Sequence, residues 1–249
     1  MSEAYDLTKV MTISDMAYAI LSQNAAPLHY KEIYEEISKV KKVKNPGSVQ
    51  SCIYAHNLFI RMGDGYWGLM EWLLNGLTFI YSLSPLEYER RVLNVNYDHE
   101  LYFPGYIQEK RLIFNIKGRE YECSRKDKRT FIMKKLYNNE MIRPRDRMII
   151  KILDVNNFKY EIVDVKKQGF ELNLVDHNKK IRDLAFKVLK EERRIMSSTR
   201  ILENILTKDL KVKDLKNKSN LGPILPLSEG LSDDNRFKEK LPGMFTLNL

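Results

Sequence analysis

Two aspartates and a lysine lie at the ends of neighbouring strand-like runs and have the residue types of a metal-dependent nuclease site. Asp154 ends the first run, and Asp164 and Lys166 end the second in an Asp-x-Lys pattern. Restriction nucleases use clustered carboxylates and a lysine around a metal ion on adjacent strands. One hypothesis is therefore a nuclease that uses Asp154, Asp164 and Lys166 with Mg²⁺. The alternative is that all three are solvated strand-end residues in a protein that needs no cofactor.

A second group of side chains has the chemistry of DNA recognition and surrounds a predicted helix that begins near residue 45. Gln50 could hydrogen-bond a base edge, most naturally that of adenine. Lysine and arginine side chains beside the helix would bind phosphates and contribute affinity without sequence choice. The candidate DNA contacts of this region are Lys42, Lys44, Ser48, Gln50, Ser51, Tyr54 and Arg61.

The formal net charge of +9 suggests a polyanionic partner, and the basic excess lies in the middle of the chain. Residues 1–90 carry slightly more acidic than basic side chains, whereas residues 91–195 carry many more basic ones. A solvated basic face is the alternative to a nucleic-acid surface. The candidate DNA contacts in this region are Arg125, Lys126, Arg129, Arg143, Arg145 and Arg147.

Three helices and a hairpin are predicted to position the first group of DNA contacts. Helix starts are predicted at Thr12, His29 and Asn45, the first from a capping box and the third from an Asn-Pro pair. The stretch NLFIRMGDGYWGL, residues 57–69, has the pattern of a β-hairpin around a Gly-Asp-Gly turn. This order is that of a winged helix-turn-helix, in which the third helix enters the major groove. The wing residues that we expect to close the three-helix core are Phe59, Trp67 and Leu69.

The same segment carries a set of motif residues. They are an Ala-rich first helix, the entry Pro27-Leu28-His29-Tyr30 to the second helix, and a wing with Phe59, Gly63, Trp67 and Leu69. With these parts, about residues 10–72 resemble the HARE-HTH winged-helix family, which includes the N-terminal domain of the bacterial RNA polymerase delta subunit. The resemblance implies association with DNA or with a transcription complex, and it implies no catalysis. The delta subunit continues into an acidic tail and this chain into a basic region, so a role that depends on such a tail is not implied.

The sequence predicts an α+β protein in which a winged helix-turn-helix at residues 1–75 precedes a small barrel-like β domain. Period-two runs such as RLIFNIKGREYECS and KYEIVDVKK indicate several short strands at close spacing. Helical periodicity follows, then a Pro- and Gly-containing end, and no internal repeat is evident. The predicted boundaries are a connector at 76–96, a basic β-rich domain at 97–178, a helical segment at 179–216 and an extended C-terminal arm at 217–249.

Several other features narrow the class of protein. The two cysteines, Cys52 and Cys123, lack zinc spacing, so we expect free thiols in a reducing compartment. No run approaches twenty apolar residues, and the phosphate-binding Gly-x-x-x-x-Gly-Lys motif is absent. We therefore expect a cytoplasmic protein, associated with the nucleoid if it is bacterial, whose partner is double-stranded DNA.

Three functional hypotheses follow from these patterns. The first is a DNA-binding protein of transcription or of restriction–modification, which uses the winged helix and the basic β-rich domain. The second is the metal-dependent nuclease. The third is a protein-binding adaptor, for example an RNA polymerase accessory subunit.

Overall fold

The chain forms two compact units, Met1–Leu73 and Leu74–Leu249. A computed structural model describes residues 11–105, 110–140, 142–167, 174–209 and 222–248. None of the helices in these ranges has both the length and the hydropathy needed to cross a bilayer. The fold is mixed α and β, with a helical N-terminal region, a curled sheet in the middle and helices near the C-terminus, which confirms the predicted fold class.

The described part of the first unit consists of three main helices and a small antiparallel sheet. The strands lie in the order β1-β3-β2, so the hairpin β2–β3 receives β1 at its β3 edge. This is the predicted winged helix-turn-helix, with β2–β3 as the wing. Its elements are α1 (Ile13–Asn24), β1 (Leu28–His29), α2 (Tyr30–Ser38), α3 (Pro46–Tyr54), β2 (Phe59–Gly63), β3 (Tyr66–Leu69) and, at the boundary between the units, α4 (Met70–Leu74).

Local side-chain caps fix where the three helices of the first unit begin. The hydroxyl of Thr12 accepts from the backbone N–H of Asp15 at 3.1 Å, and the Asp15 carboxylate accepts from the N–H of Thr12 at 2.8 Å. These hydrogen bonds lower the pKa of Asp15. His29 and Asn45 cap α2 and α3 with their own side chains. Because caps satisfy helix N–H groups within a few residues of sequence, the three starts were predictable.

The hairpin of the first unit lies over a core made by all three helices. Phe59, Trp67 and Leu69 are buried, as predicted. A hairpin of this length is only marginally stable by itself in water, so it depends on this packing. The helix residues buried in the same core are Met16, Ala17, Leu21, Ile33, Ile37, Val49 and Ile53.

A seven-stranded sheet forms the main part of the second unit within the described residues. Its order is β4-β9-β10-β6-β7-β8-β5, and β10 pairs in parallel with β6 while the other neighbours are antiparallel. The sheet curls into a half-barrel. Its elements are β4 (Thr78–Ser82), α5 (Pro85–Arg90), β5 (Val92–Asn94), a 3₁₀ turn (Glu100–Tyr102), β6 (Arg111–Ile116), β7 (Arg119–Asp127), β8 (Thr130–Ile132), α6 (Lys134–Asn139), β9 (Arg147–Asp154) and β10 (Lys159–Lys166).

The predicted connector at residues 76–96 is instead part of this sheet. It supplies β4, which pairs with β9 along its whole length, and β5, which pairs with β8. The three central residues of β4, Phe79, Ile80 and Tyr81, are all buried. A strand that is buried on both faces lacks the alternation of polar and apolar residues by which a strand is recognised, so the sequence did not reveal β4.

The C-terminal region also differs from its prediction. The expected extended arm at 217–249 carries a helix and a β-hairpin in its described residues, and residues 217–221 lie outside the described ranges. The expected helical segment at 179–216 contains two helices with a short strand between them, and residues 210–216 also lie outside. The elements are α7 (Leu174–Glu192), β11 (Met196–Ser197), α8 (Ser198–Asp209), α9 (Leu227–Ser232), β12 (Phe237–Leu241) and β13 (Met244–Leu247).

A buried imidazole lies beneath the sheet of the second unit. The ring of His99 lies 2.7 Å from the Asn96 side-chain oxygen and 3.2 Å from the Ile80 carbonyl. Burial lowers the pKa of His99, and this effect exceeds the opposing influence of the Ile80 carbonyl and of the Asp98 and Glu87 charges. The folded protein therefore holds this ring neutral at a pH where the unfolded chain protonates it.

We predict that the second unit loses stability as the pH falls below about 6.5, the ordinary pKa of histidine. Between that pH and the lower pKa of folded His99, the unfolded chain binds a proton that the folded chain does not, so unfolding is favoured. One such group contributes a slope of at most about 1.4 kcal/mol per pH unit. Chemical denaturation of the wild type and of His99→Gln at several pH values measures this slope, which the variant should reduce. An unchanged slope in the variant would contradict the assignment.

Candidate nucleic-acid interface

Helix α3 presents one apolar and one polar face. Val49 and Ile53, four residues apart, are fully buried in the core. Gln50, Ser51 and Tyr54 share the opposite face, because residues three and four apart in a helix are neighbours. Ser51 and Tyr54 are exposed and Gln50 is partly exposed. The side chains predicted to read a DNA groove therefore project from a helix whose other side is anchored.

The ring of Tyr54 is held in place although it is exposed. Its relative exposure is 76%, and its ring meets Trp67 edge-on, with centroids 6.3 Å apart and planes at 89°. Aromatic pairs favour this arrangement. The wing residue Trp67 therefore does more than fill the core, because it also orients an aromatic group on the outer face of α3.

Basic side chains flank α3 on two sides. Lys42 and Lys44 are exposed in the segment before the helix, and Arg61 is exposed on the wing strand β2. Ser48, another predicted contact, differs from these because its hydroxyl lies 3.3 Å from the side-chain oxygen of Asn45. Ser48 therefore belongs to the helix cap more than to the outer face.

The turn between β7 and β8 carries the first basic group of the second unit. Lys126 and Lys128 are exposed there. Arg125 donates to the carbonyl of Asp127 at 2.9 Å, and Arg129 forms an ion pair of 2.9 Å with Glu100. The two arginines thus take part in internal contacts that shape the turn, and the two lysines extend its positive surface.

The second basic group lies in the turn before β9, and its three arginines are not equivalent. Arg143 and Arg145 are exposed. The buried carboxylate of Asp146 holds this turn by accepting from the N–H of Arg143 at 2.8 Å. Arg147 instead forms an ion pair of 2.8 Å with Glu229, and its side chain is 24% exposed. The prediction that all three form one exposed basic turn is therefore wrong for Arg147, since strand β9 directs it to a distant part of the chain.

The residues of the nuclease hypothesis do not converge. Asp154 caps the turn after β9, where its carboxylate accepts from the side-chain amide of Asn157 at 2.7 Å. It lies opposite Lys159, whereas Asp164 lies opposite Ile149. The strand from Lys159 to Asp164 spans about 17 Å, which is too far for two carboxylates to share a metal ion. Asp164 and Lys166 form an ion pair of 2.6 Å, which lowers the pKa of Asp164.

The wider search for a metal site agrees with this geometry. In the ranges that the structure describes, no group of three or more His, Cys, Asp and Glu side chains is placed to hold a metal ion.

Residues 11–72 match the family model of the HARE-HTH domain, which its description assigns to ASXL proteins and to restriction endonucleases. These residues form a HARE-HTH domain. The predicted resemblance is confirmed, and the match ends beside the boundary of the first unit at Leu73. A HARE-HTH domain is a DNA-binding type of domain, so the first unit indicates DNA as a partner. No curated protein and no solved structure matches the chain.

Two features of the interface could not be found from sequence. The contact between Tyr54 and Trp67 joins a helix to a hairpin strand, and the ion pair between Arg147 and Glu229 joins residues far apart in the chain. Neither has a local sequence signal. The outward face of α3 did have one, because Val49 and Ile53 are apolar at helical spacing and the residues between them are polar.

We predict that plasmid DNA incubated with the protein and Mg²⁺ or Mn²⁺ shows no cleavage that requires Asp154 or Asp164, because the two carboxylates cannot bind one metal ion. Gel electrophoresis of supercoiled plasmid measures this, with Asp154→Ala and Asp164→Ala beside the wild type. Cleavage by the wild type that either substitution abolishes would contradict the geometry.

Proposed function

We propose that the protein binds double-stranded DNA by inserting α3 of the HARE-HTH domain into the major groove. The observation that carries this proposal is the outward polar face of α3, formed by Gln50, Ser51 and Tyr54, on a helix fixed by Val49 and Ile53. The third helix is the element that a winged helix-turn-helix places in the groove.

The side chains of this face suit base recognition. The Gln50 amide can donate and accept at once, and this matches the N6 and N7 edge of adenine. The Ser51 hydroxyl offers a further donor and acceptor, and the Tyr54 ring provides an apolar surface. One bidentate pair contributes about 1–3 kcal/mol of discrimination between bases, so Gln50 is the main determinant of specificity in this proposal.

Phosphate contacts supply the affinity. Lys42, Lys44 and Arg61 surround the reading face of α3 and would fix its register on the duplex. Exposed glutamates on α2 offset their charge within the first unit. We therefore assign much of the affinity to the second unit, whose exposed basic turns carry Lys126 and Lys128 in one and Arg143 and Arg145 in the other.

A role in transcription regulation or in restriction–modification fits this function, and it would place the protein in the cytoplasm, at the nucleoid in a bacterium. A second candidate is a protein-binding adaptor such as an RNA polymerase accessory subunit. It is supported by the acidic, exposed side of α2 at Glu32, Glu35 and Glu36, which borders a shallow groove containing Ile20 and Leu28. Such a surface suits a basic protein partner better than DNA.

We predict that the double variant Arg143→Ala, Arg145→Ala binds duplex DNA more weakly at every sequence and with a reduced salt dependence. Each lost phosphate contact lowers the slope of log K against log salt by about 0.9. Fluorescence anisotropy with a labelled duplex at several salt concentrations measures both quantities. The matched control is Lys187→Ala, Lys190→Ala, which removes two exposed charges from α7. Absence of wild-type binding at low salt would reject the proposal and favour the adaptor.

We predict that Gln50→Ala relaxes sequence preference while leaving non-specific affinity within about twofold, because the amide contacts a base and not a phosphate. Selection from a randomised duplex pool, followed by sequencing, compares the motifs bound by the wild type and by the variant. Gln23→Ala, on exposed α1 surface, is the matched control. If Gln50→Ala selects the same motif with the same strength, α3 does not read DNA through this residue.

A further inference from the structure

The C-terminal part of the second unit repeats the architecture of the HARE-HTH domain. Its helices and strands follow the order α7-β11-α8-α9-β12-β13, as α1-β1-α2-α3-β2-β3 do in the first unit. Its sheet has the order β11-β13-β12, which corresponds to β1-β3-β2. We infer that residues 174–248 contain a second winged helix, and that its third helix binds the half-barrel of this chain instead of DNA.

The strand register is the same in the two sheets. Phe59 pairs with Leu69 in the first hairpin, and Phe237 pairs with Leu247 in the second. The short entry strand also agrees, because Met196 pairs with Phe245 where Leu28 pairs with Trp67. A register shift interrupts each hairpin at the same place, after Arg61 in the first and after Glu239 in the second. Topology, register and irregularity thus all coincide.

The core residues of the two winged helices also correspond. Four buried positions of the first two helices carry identical residues at identical spacing along the chain. In the third helices, two apolar residues four apart are buried in both copies. These pairs are Ala17 and Ala185, Leu21 and Leu189, Ile33 and Ile201, Ile37 and Ile205, Val49 and Leu227, and Ile53 and Leu231.

The turn of each wing makes the same backbone contact. The N–H of Tyr30 donates to the Gly65 carbonyl at 3.0 Å, and the N–H of Ser198 donates to the Gly243 carbonyl at 2.9 Å. Both glycines have positive φ, +83° and +71°. Each also lies against an aromatic ring that a side chain at that position would meet. This close approach explains why glycine stands at both turns.

The prediction that the chain has no internal repeat is therefore wrong. The segment between the second and third helices is longer in the second copy, and α9 is shorter than α3. These differences break the alignment of the two halves, and the half-barrel separates them. Only the pairing of the strands brings the correspondence out.

The two third helices differ in how their first turns are capped. In α3 the side chain of Asn45, the residue before the helix, accepts from the N–H of Ser48 at 3.0 Å. Helix α9 follows Pro226, which supplies no side-chain cap. Its cap is Asp98, a buried residue of the half-barrel region, whose carboxylate accepts from the N–H of Ser228 at 3.1 Å and from the Ser228 hydroxyl. Helix α9 is thus completed by a residue from outside the winged helix.

Further contacts hold α9 and the residues before it against the half-barrel. Glu229 of α9 forms the ion pair with Arg147 of β9. Ile224, just before α9, bonds to β4 on both sides, with its N–H donating to Thr78 at 3.0 Å and its carbonyl accepting from Ile80 at 2.8 Å. These contacts occupy the side of α9 near its start, and they cover the edge of β4 as well.

The chemistry of α9 also disfavours a phosphate-rich partner. Glu229 lies on the helix and Asp233 and Asp234 follow it directly. The corresponding part of α3 carries Gln50, Ser51 and Tyr54 and no acidic side chain. The second winged helix is thus a protein-binding one, and the partner of its third helix is the chain's own sheet.

The test compares the two caps in the full-length protein. We expect Asp98→Ala to speed amide hydrogen exchange in Leu227–Ser232 and to lower the melting temperature by several degrees, while duplex affinity stays within twofold. Asn45→Ala, the matched cap variant, should speed exchange in Pro46–Tyr54 instead. Unchanged exchange in α9 after Asp98→Ala would overturn the inference, as would a tenfold loss of duplex affinity with unchanged melting.

A charge exchange keeps the inference testable if Asp98→Ala fails to fold. Arg147→Glu and Glu229→Arg should each lower the melting temperature, and the combined variant should recover most of the loss. No recovery in the combined variant would contradict the docking of α9. These measurements do not depend on DNA binding, so they remain decisive even if the wild type binds no duplex and the proposed function fails.

Discussion

A β-hairpin of a few residues is not stable in water without an apolar surface beneath it. Both hairpins of the winged-helix type in this chain meet that requirement in the same way. Three helices bury an inward aromatic residue of the hairpin, Trp67 in the first unit and Phe245 in the second. Once this packing is fixed, the orientation of the third helix is fixed as well, because its apolar residues lie in the same core. The function of each winged helix then depends on what its third helix presents outward.

The two third helices use this common frame differently. Helix α3 is capped by its own Asn45 and presents polar and aromatic side chains outward. Helix α9 takes its cap from Asp98 and an ion-pair partner from Arg147, so its binding capacity is used within the chain. This division explains how one chain can contain two winged helices and direct only one of them to DNA.

Features set by neighbouring residues could be predicted from the sequence. The caps at Thr12 and Asn45, the Gly-Asp-Gly turn and the period-two strands all have local signals, and the HARE-HTH motif combines several of them. Features set by distant residues could not. Strand β4 is buried on both faces and reads as a linker, Arg147 looks like a free surface charge, and Asp98 gives no sign that it caps a helix far along the chain. The second winged helix was missed for the same reason, since its identity lies in strand register.

Site-specific photocrosslinking measures most directly which third helix contacts DNA. Benzoylphenylalanine is placed at Tyr54 on α3 or at Ser232, an exposed position of α9, and the full-length protein is irradiated with a labelled duplex. The account predicts a protein–DNA crosslink from position 54 that excess unlabelled duplex competes away, and none from position 232. A crosslink from position 232 without one from position 54 would contradict it.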